Sequence, residues 1–422
     1  MDKTEEIKFS EKKKLSKKNK YICIVLVLMF VSNATLRNQE HLKIYIGISL
    51  IVYMYAFFKG ILNPSRFSKV IVNGYFTWLF ILFFMYFFYG IFLTKYDYFN
   101  ADYFFFMFSM TFATLLLLVD MHYKILIEIF IKVCAYASIV ICIYIVINEW
   151  SSIITGSSRI GESGSGNVNT VATYLGTMSI PLIYKVIFDK KYKYAIPYGL
   201  SIGIMLLTGS KKSLVFIIMG FSLIFIFKNR LQLHKYILLL IIIVGLFILI
   251  FNNEYLYNII GHRIIDFIGS LGFRIEGANY SYSTEIRLVM YKVGFDAFLS
   301  KPLFGGGWFY FSFYSGLGTY SHCNYLEILV TYGIVGFLIY YGIFAKELIE
   351  LKKLSKVNDY AKLLFTMLTV ILVNDIVEIT YIYNIMYYQI LGLVYLFIKS
   401  LKKKYKMMIV INSKRIIRNS ID

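Results

Sequence analysis

The chain has 422 residues, 59% hydrophobic and 16% charged, with a formal net charge of +20. Soluble domains carry about 25% charged and 45–50% apolar residues, so a string of two or three soluble domains is excluded. Twelve helices of about 20 residues would take up roughly 240 positions, which the hydrophobic fraction of this chain supplies. The composition is that of a polytopic helical membrane protein. Its basic excess does not point to nucleic acid, because Lys and Arg fall in short runs between apolar stretches, as cytoplasmic loops do.

In chain order, a basic leader (1–20) precedes apolar runs at 21–36, 42–58, 71–93, 101–119, 125–148, 168–187, 194–209, 213–227 and 236–252. The first run resembles a signal-peptide core, but with eleven further runs behind it we read it as an uncleaved helix. A long segment, 253–323, follows, then runs at 324–345, 361–380 and 382–398 and a basic tail, 399–422. The expected fold is therefore all-α, with about twelve transmembrane helices and an extracytoplasmic cap loop between the ninth and tenth. An even count with the basic leader inside places both termini in the cytoplasm of a multi-pass cell-membrane protein. The four cysteines, Cys23, Cys134, Cys142 and Cys323, form no CxxC pair, so neither a disulfide framework nor a zinc site is signalled.

Two expected outer segments carry positive charge against the orientation bias. One, 149–166, is rich in Ser and Gly and leads through Arg159, Gly161, Gly164 and Gly166 into Asn167 and Asn169. Glycine turns expose N–H groups, and a following helix start adds a positive dipole end, a combination suited to phosphate. The plainer reading is a loop whose arginine meets lipid headgroups. A second cluster, Thr208 to Ser213, places Lys211 beside Lys212 between apolar runs; it lacks P-loop spacing, and simple snorkelling is its plainer reading. The long loop holds Arg263, Arg274, Arg287, Lys292 and Lys301, a predicted helix over 284–298, and the turn Pro302 to Gly307 ahead of Trp308. Trp308, Tyr310, Tyr314 and Tyr320 are the types that stack on sugar rings, although 19% of the chain is aromatic.

The loop ends at His322. With an ordinary pKa near 6.5, an imidazole there suits general-base work with an ascending pH limb near neutrality. Asn324 and Glu327 have the spacing of a helix capping box. Glu128 and Lys132 have that of an intrahelical pair. Asp375 and Glu378 could orient a cation or a sugar, or simply pair with Lys211 or Lys212.

Taken in order, these motifs resemble the O-antigen ligase/polymerase family of membrane glycosyltransferases. Arg159 to Asn169 is similar to its Arg…Gly…Asn-x-Asn segment, and Ser210-Lys211 to its Ser-Arg segment. Arg287, the Pro302–Gly307 turn and His322 resemble its outer-loop pattern, followed by Tyr-Gly-Ile-Val-Gly at 332–336. Lys211 departs from the usual Arg, and Cys323 separates His322 from Asn324. The resemblance implies a polymerase that joins polyprenyl-pyrophosphate-linked oligosaccharides at the outer membrane face without metal or cofactor. His322, Arg287 and Arg159 would be catalytic. Lys211, Lys212, Arg274, Asn167, Asn169, Asn324, Gly305, Gly307 and Trp308 would contact substrate. A flippase and a chain-length regulator are the implied partners besides the bilayer, with no role for nucleic acid. The richness in Lys, Ile, Tyr and Asn fits an AT-rich genome and a Gram-positive capsular or exopolysaccharide system. The rival readings are a ligase that passes finished glycan to another acceptor, a lipid-linked oligosaccharide flippase, and a purely structural membrane partner.

Overall fold

The computed structural model describes residues 17–38, 40–93, 101–155, 160–161, 167–228, 232–261, 264–265, 282–382 and 384–419. Among them all regular structure is helical. The helices are α1 (Lys17–Thr35), α2 (Leu42–Ile61), α3 (Ser65–Ile71), α4 (Gly74–Phe88), α5 (Ala101–Leu118), α6 (Tyr123–Asn148), α7 (Trp150–Thr155) and α8 (Val168–Ile187). They continue with α9 (Ala195–Leu207), α10 (Lys211–Lys228), α11 (Leu233–Asn252), α12 (Tyr282–Ser300), α13 (Tyr310–Ser315), α14 (Asn324–Leu354), α15 (Asp359–Asn374) and α16 (Ile385–Asn419).

Each predicted apolar run contains a helix. By length and composition five helices among the described residues can cross a membrane: Leu42–Ile61, Gly74–Phe92, Tyr123–Asn148, Val168–Ile187 and Asn324–Leu354. Some of the remainder are shorter than a crossing requires. α9 has 13 residues and α15 has 16, against about 20 for a full hydrocarbon span.

Burial grades the helices from centre to rim. The apolar window of α8 is 83% buried and that of α2 only 28%. α8 packs against α6, α9, α10 and α15 and forms the axis of the fold. α2 instead turns Ile44, Leu50, Ile51, Met54 and Phe58 outward, the side chains a lipid-facing helix presents.

α14 is broken at Gly333, where φ is 66° and ψ −167°. A break orphans backbone groups on both sides, and inside apolar surroundings each must find a partner. The Pro302–Gly307 turn supplies them. Gly306 N–H donates to the Val330 carbonyl at 2.8 Å and Gly307 N–H to that of Thr331 at 3.0 Å. In return Ile334 N–H donates to the Pro302 carbonyl at 2.9 Å and Val335 N–H to that of Leu303 at 3.2 Å. A Cβ on Gly305 would collide with the Thr331 backbone, and one on Gly333 with that of Leu303. Tyr89 also donates to the Phe304 carbonyl, at 2.7 Å.

Three local expectations change. Glu128 reaches across to Lys185 of α8 and accepts from Tyr360 at 2.7 Å, rather than pairing with Lys132 within its own helix. α15 stops at Asn374 rather than 380, because Asn324 captures the chain beyond it. The capping box at Asn324 does not form. Cys323 takes the N-cap position without a side-chain cap bond, and Glu327 instead accepts from Ser321 N–H at 2.8 Å.

Candidate active site

Three helix N-termini converge at one end of the bundle: those of α8, α10 and α14. Such ends carry exposed N–H groups and a partial positive charge, so their convergence favours an anion. Asn167 caps α8 by accepting from Asn169 N–H at 2.9 Å. The Ser210 hydroxyl, just before α10, donates to the Asn169 amide oxygen at 2.8 Å. Two motifs that lie far apart in the chain thereby meet.

Lys212 forms an ion pair with Glu378, Nζ to Oε1 at 2.8 Å. The other Glu378 oxygen accepts from Thr173 Oγ1 and Asn374 Nδ2, each at 2.8 Å. Asn324 ties the same turn to α14. Its backbone N–H donates to the Asp375 carbonyl at 2.8 Å, and its amide oxygen accepts from Thr380 N–H at 2.9 Å and Tyr381 N–H at 3.0 Å. Its amide nitrogen donates to Tyr341 at 2.8 Å and to the Asp375 carboxylate at 3.2 Å, which Tyr341 also meets, at 2.9 Å. Asn324 is fully buried and organises the site from behind.

His322 stands in front of this frame with φ +57°, a left-handed conformation that a non-glycine residue adopts at a cost of about 1–3 kcal/mol. Its neighbours hold it there. Ser321 is anchored on Glu327, its hydroxyl meets the Cys323 carbonyl at 3.1 Å, and Asn324 is fixed on Asp375. The Tyr320 ring lies 4.5 Å from the imidazole. Burial first, then the positive charges of Arg287 and Lys212, push the His322 pKa down to about 4. The imidazole is therefore neutral at physiological pH and can accept a proton. The limb expected near neutrality moves downward, because burial and then the two cations disfavour the charged imidazole.

Arg287 lies on α12, which packs on α14 and reaches the 375–381 turn through Tyr291, whose hydroxyl donates to the Ile376 carbonyl at 3.2 Å. Burial raises the Tyr291 pKa, and Arg287 pulls it back in part.

The structure thus gathers Asn169, Ser210, Lys212, Arg287 and His322. Arg159 and Arg274 lie outside the described residues, as does the side chain of Lys211, whose backbone opens α10. Next to Arg159, Ile160 is buried and Gly161 N–H donates to Glu149 at 2.6 Å. Gly305 and Gly307 belong to the turn that latches onto α14. Trp308 is 5% exposed, donates to the Tyr86 carbonyl at 3.2 Å and packs against Phe104 and Tyr332. That is a core position rather than a sugar platform.

Sequence reasoning passed over Thr173 and Asn374. The signal for Thr173 was its place one helical turn after Asn169 on α8; Asn374 gave none. Among the described residues no three His, Cys, Asp or Glu side chains are grouped as a metal site would group them.

Residues 197–341, about a third of the chain, match the family model described as O-antigen ligase (Wzy_C). The match runs from α9 into α14 and takes in Ser210, Lys212, Arg287, the Pro302–Gly307 turn and His322. No curated protein matches the chain. Over residues 197–341, then, this multi-pass membrane protein is similar to the O-antigen ligase family.

Proposed function

We propose that the protein is a polysaccharide polymerase of the cell envelope, capsular or exopolysaccharide in type. It would join polyprenyl-pyrophosphate-linked repeat units at the outer face of the membrane, with about twelve spans and both termini inside. One observation carries the reading: a neutral His322 stands within the field of Arg287 and Lys212, where three helix N-termini meet. A base that is unprotonated at neutral pH, next to a cationic anion site, suits transfer of a sugar from a pyrophosphate leaving group to a hydroxyl.

The acceptor hydroxyl oxygen attacks the anomeric carbon of the donor, and its proton passes to His322. The bond from that carbon to the pyrophosphate oxygen breaks, and the electron pair leaves with the polyprenyl pyrophosphate. Arg287, Lys212 and the three helix ends, with Arg159 and Lys211 as further cations, stabilise the charge that develops on that oxygen. Protonated His322 then returns its proton to solvent. The side chains supply the positive charge themselves, and the reading assigns no metal or cofactor. A flippase delivering donor and a regulator of chain length are the expected companions.

The ligase reading is favoured by the description of the matching family model; it uses the same residues and differs only in the acceptor. Gel profiling of the glycans that accumulate when the gene is deleted separates the readings. Accumulated single lipid-linked repeats support a polymerase, long unattached polymer a ligase, and repeats trapped on the inner face a flippase. Cysteine labelling in intact cells tests the orientation, and an inaccessible tag within 282–323 would sink the mechanism.

A further inference from the structure

We propose that Glu378 is a positioning residue, fixing where the Lys212 ammonium stands and how much of its charge is felt at His322. The inference rests on the polymerase or ligase reading of this site and adds a residue outside the stretch that matches the family model.

A carboxylate is out of place at a site built for a pyrophosphate, since like charges repel. Its presence needs a reason, and the geometry gives one. Both oxygens are committed, one to Lys212 and the other to Thr173 and Asn374, so α8, α10 and α15 hold it from three sides. The side chains of the pair are only 10% and 17% exposed, so the interaction is little screened by solvent. A flexible lysine is thereby given one place in the site. It is also partly neutralised until a stronger anion arrives.

The titratable groups around His322 come from several elements. Arg287 and Tyr291 stand on α12, Lys212 on α10, Glu327 on α14, Cys323 beside it, and Asp375 and Glu378 on the turn after α15. Glu327 is used by Ser321, and Asp375 by Asn324, Tyr341 and Thr380. Glu378 is the acid of this set that pairs with a cation acting on the imidazole.

The test uses the full chain in lipid nanodiscs, with lipid-linked repeat units extracted from the deletion strain as donor and acceptor. Glu378→Gln keeps the size and removes the charge. It should lower kcat/KM tenfold or more, while Glu378→Asp recovers part of the loss. With donor bound, the ascending pH limb of Glu378→Gln should move to lower pH, because Lys212 is no longer offset and the imidazole is harder to protonate. A merely structural residue would leave that limb in place. Because Glu378 acts through Lys212, the pair K212Q/E378Q should be no worse than K212Q alone. Activity of Glu378→Gln within twofold of the parent, an unmoved limb, or a pair worse than K212Q would each overturn the proposal.

If Glu378→Gln fails to accumulate, the pair variant, which strands no buried charge, decides by the same comparison with K212Q. Parent-level activity in His322→Gln would instead overturn the functional reading beneath it.

Discussion

Lys185 and Lys212 are both buried lysines, and the fold treats them in opposite ways. Lys185 is fully buried, bonded to Glu128 and to Asp189 at 2.6 Å, with its ammonium 5.5 Å from the Tyr360 ring centre. Two carboxylates enclose one cation, and α6, α8 and α15 are pinned together where they meet. Lys212 shares one carboxylate with two neutral donors and stands in the same field as Arg287. Lys191, 3.8 Å from Asp189, completes the first cluster as two lysines and two carboxylates whose charges are satisfied among themselves, which is structural. In the second, Lys212 and Arg287 both act on His322 while Lys212 is paired with Glu378, and the group lies at converging helix N-termini, a place suited to an anion. What surrounds a buried lysine therefore separates a brace from a binding group more sharply than burial does.

That contrast can be broken most directly at His322. On the proposed reading His322→Gln and His322→Ala lose about 10²–10⁴-fold in turnover and accumulate single lipid-linked repeats at normal protein abundance; substantial polymer from the Gln variant would return His322 to a structural role. Lys185→Met should act on stability instead. Glu128 then keeps Tyr360 and Asp189 keeps Lys191, and because both carboxylates are partly exposed the loss should fall below the figure of about 3–5 kcal/mol for a fully buried broken pair, visible as a lower thermal midpoint in detergent, with residual polymer of normal length. A stable but inactive Lys185→Met would erase the distinction.

Third come the neighbouring lysines. Lys212→Gln should lower polymer yield, and the Lys211→Gln, Lys212→Gln pair should be much worse than either single change, whereas equal mild effects would mean that both merely snorkel. A subtler effect is in pH. Held down to about 4 in the unliganded protein, His322 carries its proton below that value and is a free base above it. So kcat/KM should rise as pH climbs through about 4 and be flat near neutrality. Bound pyrophosphate offsets Arg287 and Lys212, raises the imidazole pKa and moves the kcat limb to higher pH; coincident limbs would place the phosphates elsewhere. The smallest effect is expected from Lys211→Arg, which keeps the charge and should retain near-parent activity.

Apolar runs made the helices legible, and the 284–298 helix was legible from its alternating faces. The ends of the helices were not. α15 stops early because Asn324, distant in sequence, binds the backbone of the following turn, and no local propensity records that. The sequence placed Lys212, Arg287 and His322 among the candidates because cations and a histidine beside apolar runs are conspicuous. It could not say that Glu378 pairs with Lys212, since that contact is made by packing among α8, α10 and α15. Trp308 misled for a related reason: aromatic composition suggests a sugar platform, while the latch onto α14 draws the ring into the core.

The break at Gly333 has a consequence for anyone exchanging parts between relatives of this protein. The loop turn and the helix it docks on each complete the other's main chain, so neither is a separable module. A graft with its boundary at the start of α14 would arrive with Gly306 and Gly307 facing a foreign helix that offers no matching carbonyls. The unit that can be transplanted runs from Pro302 through Val335, across the line that a hydropathy plot would draw between loop and membrane.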